Sequence, residues 1–115
     1  MLLQDFLDQL QADPESIQFT DTIETIESHY DFIATHFKNG NQENNIGENQ
    51  GSCKILAFAQ LNKLSEPNTL HCFGQYYRND VLQNPDGDDH QNIRQFMQHG
   101  FSGVSFEGQP LRKKS

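Results

Sequence analysis

Apolar residues recur at three- and four-residue intervals through most of this chain, so the pattern predicts helices first and strands second. Leu2, Leu3, Phe6, Leu7 and Leu10 form the first stripe, and Asp13-Pro14 ends it. A second helix is expected from Thr20 or Asp21, both competent caps. It carries Ile23, Ile26 and Tyr30 on one face, with His29 beside that face. Residues 30–37 are rich in aromatic and β-branched side chains and lead into Asn39-Gly40, which reads as a strand followed by a turn. Residues 39–51 contain Asn39, Gly40, Asn41, Asn44, Asn45, Gly47, Asn49 and Gly51, so a loop is expected there. Loops of that length are uncommon in small domains and often carry function.

From Ser52 to Leu64 the chain is apolar around most of a helical circumference, which marks the central, most buried helix, with Ser52 as its cap. Ser65 is expected to cap another helix that tolerates Pro67 in its first turn, buries Leu70, Phe73, Tyr77 and Val81, and ends before Pro85. The last helix is expected to start at Asp88 or Asp89, to bury Ile93, Phe96 and Met97, and to stop at Gly100. Residues 101–106 then read as a short strand. The fold class is therefore α+β: a mainly helical single domain over residues 1–111 with a small antiparallel sheet from residues 30–37 and 101–106, followed by a short basic tail, residues 112–115.

Composition sharpens this picture. The 115 residues suit one domain with one core, yet only 34% are apolar and the mean hydropathy is -0.77, so nine Phe and three Tyr must supply much of the core volume. A formal charge of -8 opposes nucleic-acid phosphates and anionic membrane surfaces, and the single basic run, Arg112-Lys113-Lys114, reads as a solvated tail. No apolar stretch is long enough to span a bilayer. Cys53 and Cys72, in an acidic chain without an export signal, read as reduced thiols of a cytosolic protein.

The densest chemistry lies in Asp86, Asp88, Asp89 and His90. Their carboxylates suit magnesium, calcium or manganese, and the imidazole admits zinc or iron. The same residues also satisfy a local reading, in which Pro85-Asp86-Gly87 is a turn, Asp88 caps the last helix with Gln91 as its partner, and Asp89 complements the helix dipole. Cys53 stands at an expected helix start beside Lys54, a setting that lowers a thiol pKa, while burial against Leu56 and Ala57 would leave it inert. Gly47-Glu48-Asn49-Gln50-Gly51-Ser52 offers backbone amides to an anion, without the arrangement of a P-loop. Tyr77 belongs to an apolar stripe, which leaves Tyr76 and Arg78 as interaction candidates.

The segments Gly51-Ser52-Cys53-Lys54-Ile55, Thr69-Leu70-His71-Cys72-Phe73-Gly74-Gln75-Tyr76-Tyr77-Arg78-Asn79-Asp80-Val81-Leu82 and Pro85-Asp86-Gly87-Asp88-Asp89-His90-Gln91-Asn92-Ile93-Arg94 closely resemble the HopJ family. Including His29-Tyr30-Asp31-Phe32 and Phe37-Lys38-Asn39-Gly40, the resemblance runs over roughly residues 17–110. It implies a small bacterial protein whose family label is type III effector, without an established enzymatic mechanism. A type III export signal is commonly pliable and Ser-rich, whereas no serine occurs in the first fifteen residues, so a cytoplasmic location is expected.

Two functions follow. One is a non-catalytic binding or interaction module for a small molecule or a protein. The other is a metal-binding or thiol-dependent enzyme whose site joins the 86–90 turn to Cys53, Lys54, Glu48 and the 47–51 loop, with His29, Asp31 and Asp80 as further ligand-binding candidates.

Overall fold

The computed structural model describes residues 2–114, which form a mixed α+β domain. Helix α1 (Leu3–Ala12) buries Phe6 and Leu10 and is followed by a 3₁₀ turn at Pro14–Ser16. Helix α2 (Phe19–His29) starts one residue before the earliest expected cap. Gln18 precedes it, and the backbone N–H of Gln18 donates to the Asp21 carboxylate at 3.0 Å, so Asp21 serves the first turn from inside the helix. Its inward face holds Thr22, Thr25 and Ile26, with Thr22 Oγ1 donating to the Cys72 carbonyl at 2.8 Å.

Residues 30–37 are not one strand. They divide into β1 (Tyr30–Phe32) and the start of β2 (Phe37–Asn39), which belong to different sheets; Ile33 between them is 59% exposed. The expected loop at 39–51 begins instead with a hairpin: β2 turns through Gly40 and Asn41 into β3 (Gln42–Asn44). Strand β2 is central in the antiparallel order β3-β2-β4, where β4 (Val104–Phe106) pairs Phe37 with Phe106. Strand β1 pairs with β5 (Leu111–Lys113), which sets Asp31 opposite Arg112. The basic residues 112 and 113 thus carry exposed side chains on a hydrogen-bonded strand.

Helix α3 (Gln50–Leu61) buries Cys53, Ile55, Leu56, Ala57, Phe58 and Ala59, as a helix apolar on nearly all sides must. It begins two residues before Ser52, so Asn49, not Ser52, occupies the cap position. Phe58 is fully buried and meets Phe6 and Tyr30 edge-on, each at a centroid distance of 5.8 Å. Helix α4 (Glu66–His71) is capped as expected by Ser65, whose Oγ accepts from the Asn68 amide at 3.2 Å. The apolar stripe beyond it is not one helix. Gly74, at φ +62°, breaks the chain, which resumes as a π-helical turn over Tyr76–Val81, with the Leu82 amide donating to the Tyr77 carbonyl. Helix α5 (Gln91–His99) buries Asn92, Ile93 and Phe96, leaves Met97 45% exposed, and ends at Gly100.

Both cysteines are buried free thiols. Burial pushes the Cys53 thiol up to about 11 and the Cys72 thiol up to about 12, which keeps both protonated near neutral pH. Thermal melts with and without reductant are therefore expected to coincide at neutral pH, and a marked loss of melting temperature on reduction would contradict the thiol assignment. The unfolded chain releases these protons from 9.0 upward while the fold retains them, so stability falls as pH rises above 9.0.

Candidate functional site

Two helix starts converge on one cleft. Asn49 precedes α3 at φ 51°, ψ 49°, and His90 precedes α5 at φ 50°, ψ 49°. Both are left-handed and neither is glycine, a conformation that costs roughly 1–2 kcal/mol per residue and persists where the surroundings enforce it. Neither side chain caps the helix that follows. The cleft between these starts has a volume of ≈ 430 Å³. Asn49, Gly51 and Ser52 border it from α3, and Asp88, His90, Gln91, Asn92 and Ile93 from the α5 side. Gln42 contributes from β3, and Phe19, Phe73 and Tyr76 form an aromatic wall.

The imidazole of His90 is fixed from two sides. Tyr76 stacks on it at a centroid distance of 5.2 Å and an interplanar angle of 24°, and the Asp80 carboxylate lies 3.0 Å from its Nε2. Tyr76 and Asp80 both come from the π-helical turn, so that local distortion delivers the two groups that hold His90. The Phe19 ring lies 4.8 Å from that of Tyr76, tilted at 57° to it. Phe19 in turn rests on Gly51, where a Cβ would stand 2.9 Å from the ring.

Beneath the cleft, three buried asparagines tie the hairpin to α5. The Asn92 amide donates to Asn44 Oδ1 at 3.0 Å, while Asn92 Oδ1 accepts from Asn39 at 3.1 Å and from Asn44 at 3.2 Å. Asn49 adds a donor to the same Asn44 Oδ1 at 2.7 Å. Such a network, buried in low dielectric, fixes the relative position of the elements it joins, and Asn39 Oδ1 is the one of its atoms left buried without a partner among the described residues.

The sequence candidates are distributed unevenly around this cleft. Asp88 and His90 line it, and Asp80 reaches it through His90. Asp89 pairs with Arg94 at 2.6 Å, a hydrogen bond that holds its carboxyl below the ordinary carboxylate range, while its other oxygen lies 3.9 Å from His90 Nε2. Arg94 also donates to the carbonyls of Asn84, Pro85 and Asp89, and so clamps the turn from beneath. Asp86 is exposed in that turn. Glu48 accepts from the Asn45 amide at 2.9 Å. Lys54 pairs with Glu27 at 3.0 Å and lies over the Phe32 ring. Cys53 is in the core, His29 ends α2 with its carbonyl accepting from the Lys114 amide, and Asp31 is on β1; none of these lines the cleft. Arg78 donates to the carbonyls of Pro14 and Ile17 and approaches His71 Nδ1, so its guanidinium braces the fold. Burial first, and then Arg78, hold the His71 imidazole below its ordinary range. Among the described residues no three His, Cys, Asp or Glu side chains are gathered as a metal-ligand set.

Asp88 is not the helix cap that its spacing suggested. The Gln91 side chain donates to the Asp88 backbone carbonyl at 2.8 Å, and the carboxylate accepts no hydrogen bond from the described residues. Because His90 takes a left-handed conformation, the helix starts at Gln91, too late for Asp88 to cap it. Asp88→Ala is accordingly expected to change stability by no more than about 0.5 kcal/mol. A loss above about 1 kcal/mol in chemical denaturation would restore a capping role.

A family model described as HopJ type III effector protein matches residues 3–111, nearly the whole chain. The chain belongs to this family. A solved structure titled "Crystal structure of unknown function protein VPA0580" is similar to this HopJ chain at 52% identity and a TM-score of 0.98, covering 99% of this chain and 95% of that one. None of the curated proteins matches it. No helix among the described residues is long and apolar enough to cross a membrane.

Gln42, Asn49, Gln91 and Asn92 were not singled out as ligands in the sequence, nor were Phe19 and Phe73. The signal available was the concentration of carboxamides at 39–51 and after His90, which reads as turn chemistry until the hairpin brings the two segments together.

Proposed function

We propose that this HopJ chain is a non-catalytic binding module whose ligand, a small polar molecule, occupies the cleft between the starts of α3 and α5. The observation that carries this reading is the pairing of two left-handed, non-glycine residues, Asn49 and His90, on opposite sides of one cleft whose floor is a buried asparagine network. Backbone strain of this kind is concentrated at ligand clamps. The cleft is also within the usual size range of small-molecule sites, roughly 300–1,000 Å³.

The thiol-dependent alternative has less support. Cys53 sits in the core with its pKa raised, the opposite of an activated nucleophile. The metal alternative is weakened because Arg94 engages Asp89 and Asp86 stands apart from the cleft lining. A cytoplasmic setting suits the two buried thiols.

The test is a thermal-shift screen of uncharged, zwitterionic and anionic small molecules, with each stabilising compound mapped on isotopically labelled protein. Ligands are expected to move the amides of Gly51, Ser52, Gln91 and Asn92 and to be recovered chemically unchanged. Hits that map elsewhere would refute the site, and chemical conversion of the compound would refute the non-catalytic reading.

A further inference from the structure

The polar groups of the cleft that are already used by the protein differ from those left over, and the remainder defines a ligand. Asn92 is consumed by the asparagine network, and His90 Nε2 by Asp80. Asn49 spends one of its two amide N–H groups on Asn44, and Gln42 spends one of its two on the Glu43 carbonyl at 3.2 Å. Their carbonyl oxygens and one N–H each are left, together with the Asp88 carboxylate and the Ser52 hydroxyl, so the side chains offer acceptors and donors. The first-turn residues of α3 and α5 offer donors, since neither helix has a side-chain cap.

A ligand for this site must therefore donate and accept within one small volume. An anion only accepts and would face Asp88 and two carbonyl oxygens, with no Lys or Arg in the lining to offset them. An ammonium only donates and would meet the positive ends of two helices. A hydroxyl does both. The half-buried Phe19 ring also lines the cleft, which calls for an apolar face on the same molecule.

We propose that the ligand is an uncharged polyhydroxylated ring of the saccharide class, bound with its hydroxyls on Gln42, Asn49, Ser52 and Asp88 and its C–H face on Phe19. This rests on the reading of the cleft as a binding site and specifies its ligand. The cleft offers few hydrogen-bonding groups, so binding is expected to be in the millimolar to high-micromolar range.

The experiment is an amide titration of the labelled, full-length chain with glucose, galactose, mannose, N-acetylglucosamine, maltose and cellobiose, and separately with acetate, inorganic phosphate, phenylalanine and adenosine. At least one saccharide is expected to shift Gly51, Ser52, Gln91 and Asn92 saturably. Gln42→Met removes one acceptor at nearly constant volume. Asn49→Gly removes the other while keeping the left-handed backbone that glycine adopts freely. Each is expected to weaken that saccharide roughly tenfold, the loss of about one hydrogen bond. Undiminished binding in both variants would overturn the proposed contacts. Cleft shifts with acetate, phosphate, phenylalanine or adenosine but with no saccharide would overturn the ligand class and leave the cleft as a binding site. Absence of cleft shifts with every compound would overturn both readings.

Discussion

Truncation of Phe58 to alanine is expected to lower stability by about 3 to 5 kcal/mol, the range for removing a fully buried aromatic ring from a core that cannot close over the gap. Phe58 is 0% exposed, and its ring is gripped edge-on by Phe6 from α1 and Tyr30 from β1. It thereby joins the N-terminal helix, the central helix and the β1-β5 pair. Tyr30 OH also accepts from Asn62 at 3.1 Å just beyond the end of α3, so collapse of Tyr30 into the vacated space would break a polar contact as well. Such constraints on relaxation place a cavity mutation toward the high end of its range. Chemical denaturation with an unchanged denaturant slope gives the measurement. A shift below about 1 kcal/mol would mean that α3 does not organise the core.

The parts of the fold legible in the sequence are those where side-chain periodicity and burial agree. Phe6 and Leu10, the run Ile55-Leu56-Ala57-Phe58, and the pair Ile93 and Phe96 face the core as their spacing requires, and the helices that carry them were expected from it. The strands were harder because their inward positions are partly polar. Asn39 and Asn44 are each 0% exposed, so β2 and β3 point carboxamides inward where a strand signal needs an apolar side chain. Their partner is Asn92, about fifty residues away, and only the folded hairpin brings it near. Strand β5 was hidden for the opposite reason. Arg112 and Lys113 are exposed, and the strand is held by backbone pairing to β1, which leaves no pattern to read.

Helix boundaries failed where the backbone turns left-handed without glycine. Ser52 and Asp88 are good caps by residue type, yet Asn49 and His90 set the starts, because tertiary contacts enforce a conformation their propensities disfavour. Those same two residues edge the cleft. The ionisable density of residues 86–90 drew attention to the turn, but not to how its members divide: Asp89 goes to Arg94, while Asp88 and His90 line the cleft. Sequence spacing cannot distinguish a carboxylate held by an arginine from one that faces a cleft.

Gly74→Ala is the second substitution with a large expected effect, a loss of roughly 3 kcal/mol or more from two independent causes. The first is conformational: at φ +62° an alanine adopts a left-handed backbone at a cost of about 1–2 kcal/mol. The second is steric. The added Cβ would stand 2.3 Å from the Phe19 backbone nitrogen and 2.7 Å from the Gln18 carbonyl carbon, and backbone at a helix start cannot swing aside as a side-chain tip can. Relief requires α2 to move away from the segment between α4 and the π-helical turn. That motion also strains the hydrogen bond from the Phe19 amide to the Gln75 side chain, at 3.1 Å, and the packing of Phe19 on Tyr76 and Gly51. The substitution should therefore disturb the cleft wall as it destabilises the fold, with amide shifts at Gly51, Tyr76 and His90 in whatever fraction remains folded. Gly47→Ala is the control, because Gly47 also has a positive φ, +89°, but nothing lies within 4 Å of its added Cβ. It should show the conformational cost alone and leave the cleft amides in place. If the two alanine variants lose equal stability, the close approach of α2 to Gly74 contributes nothing, and the aromatic wall is held by Phe19 and Tyr76 without it.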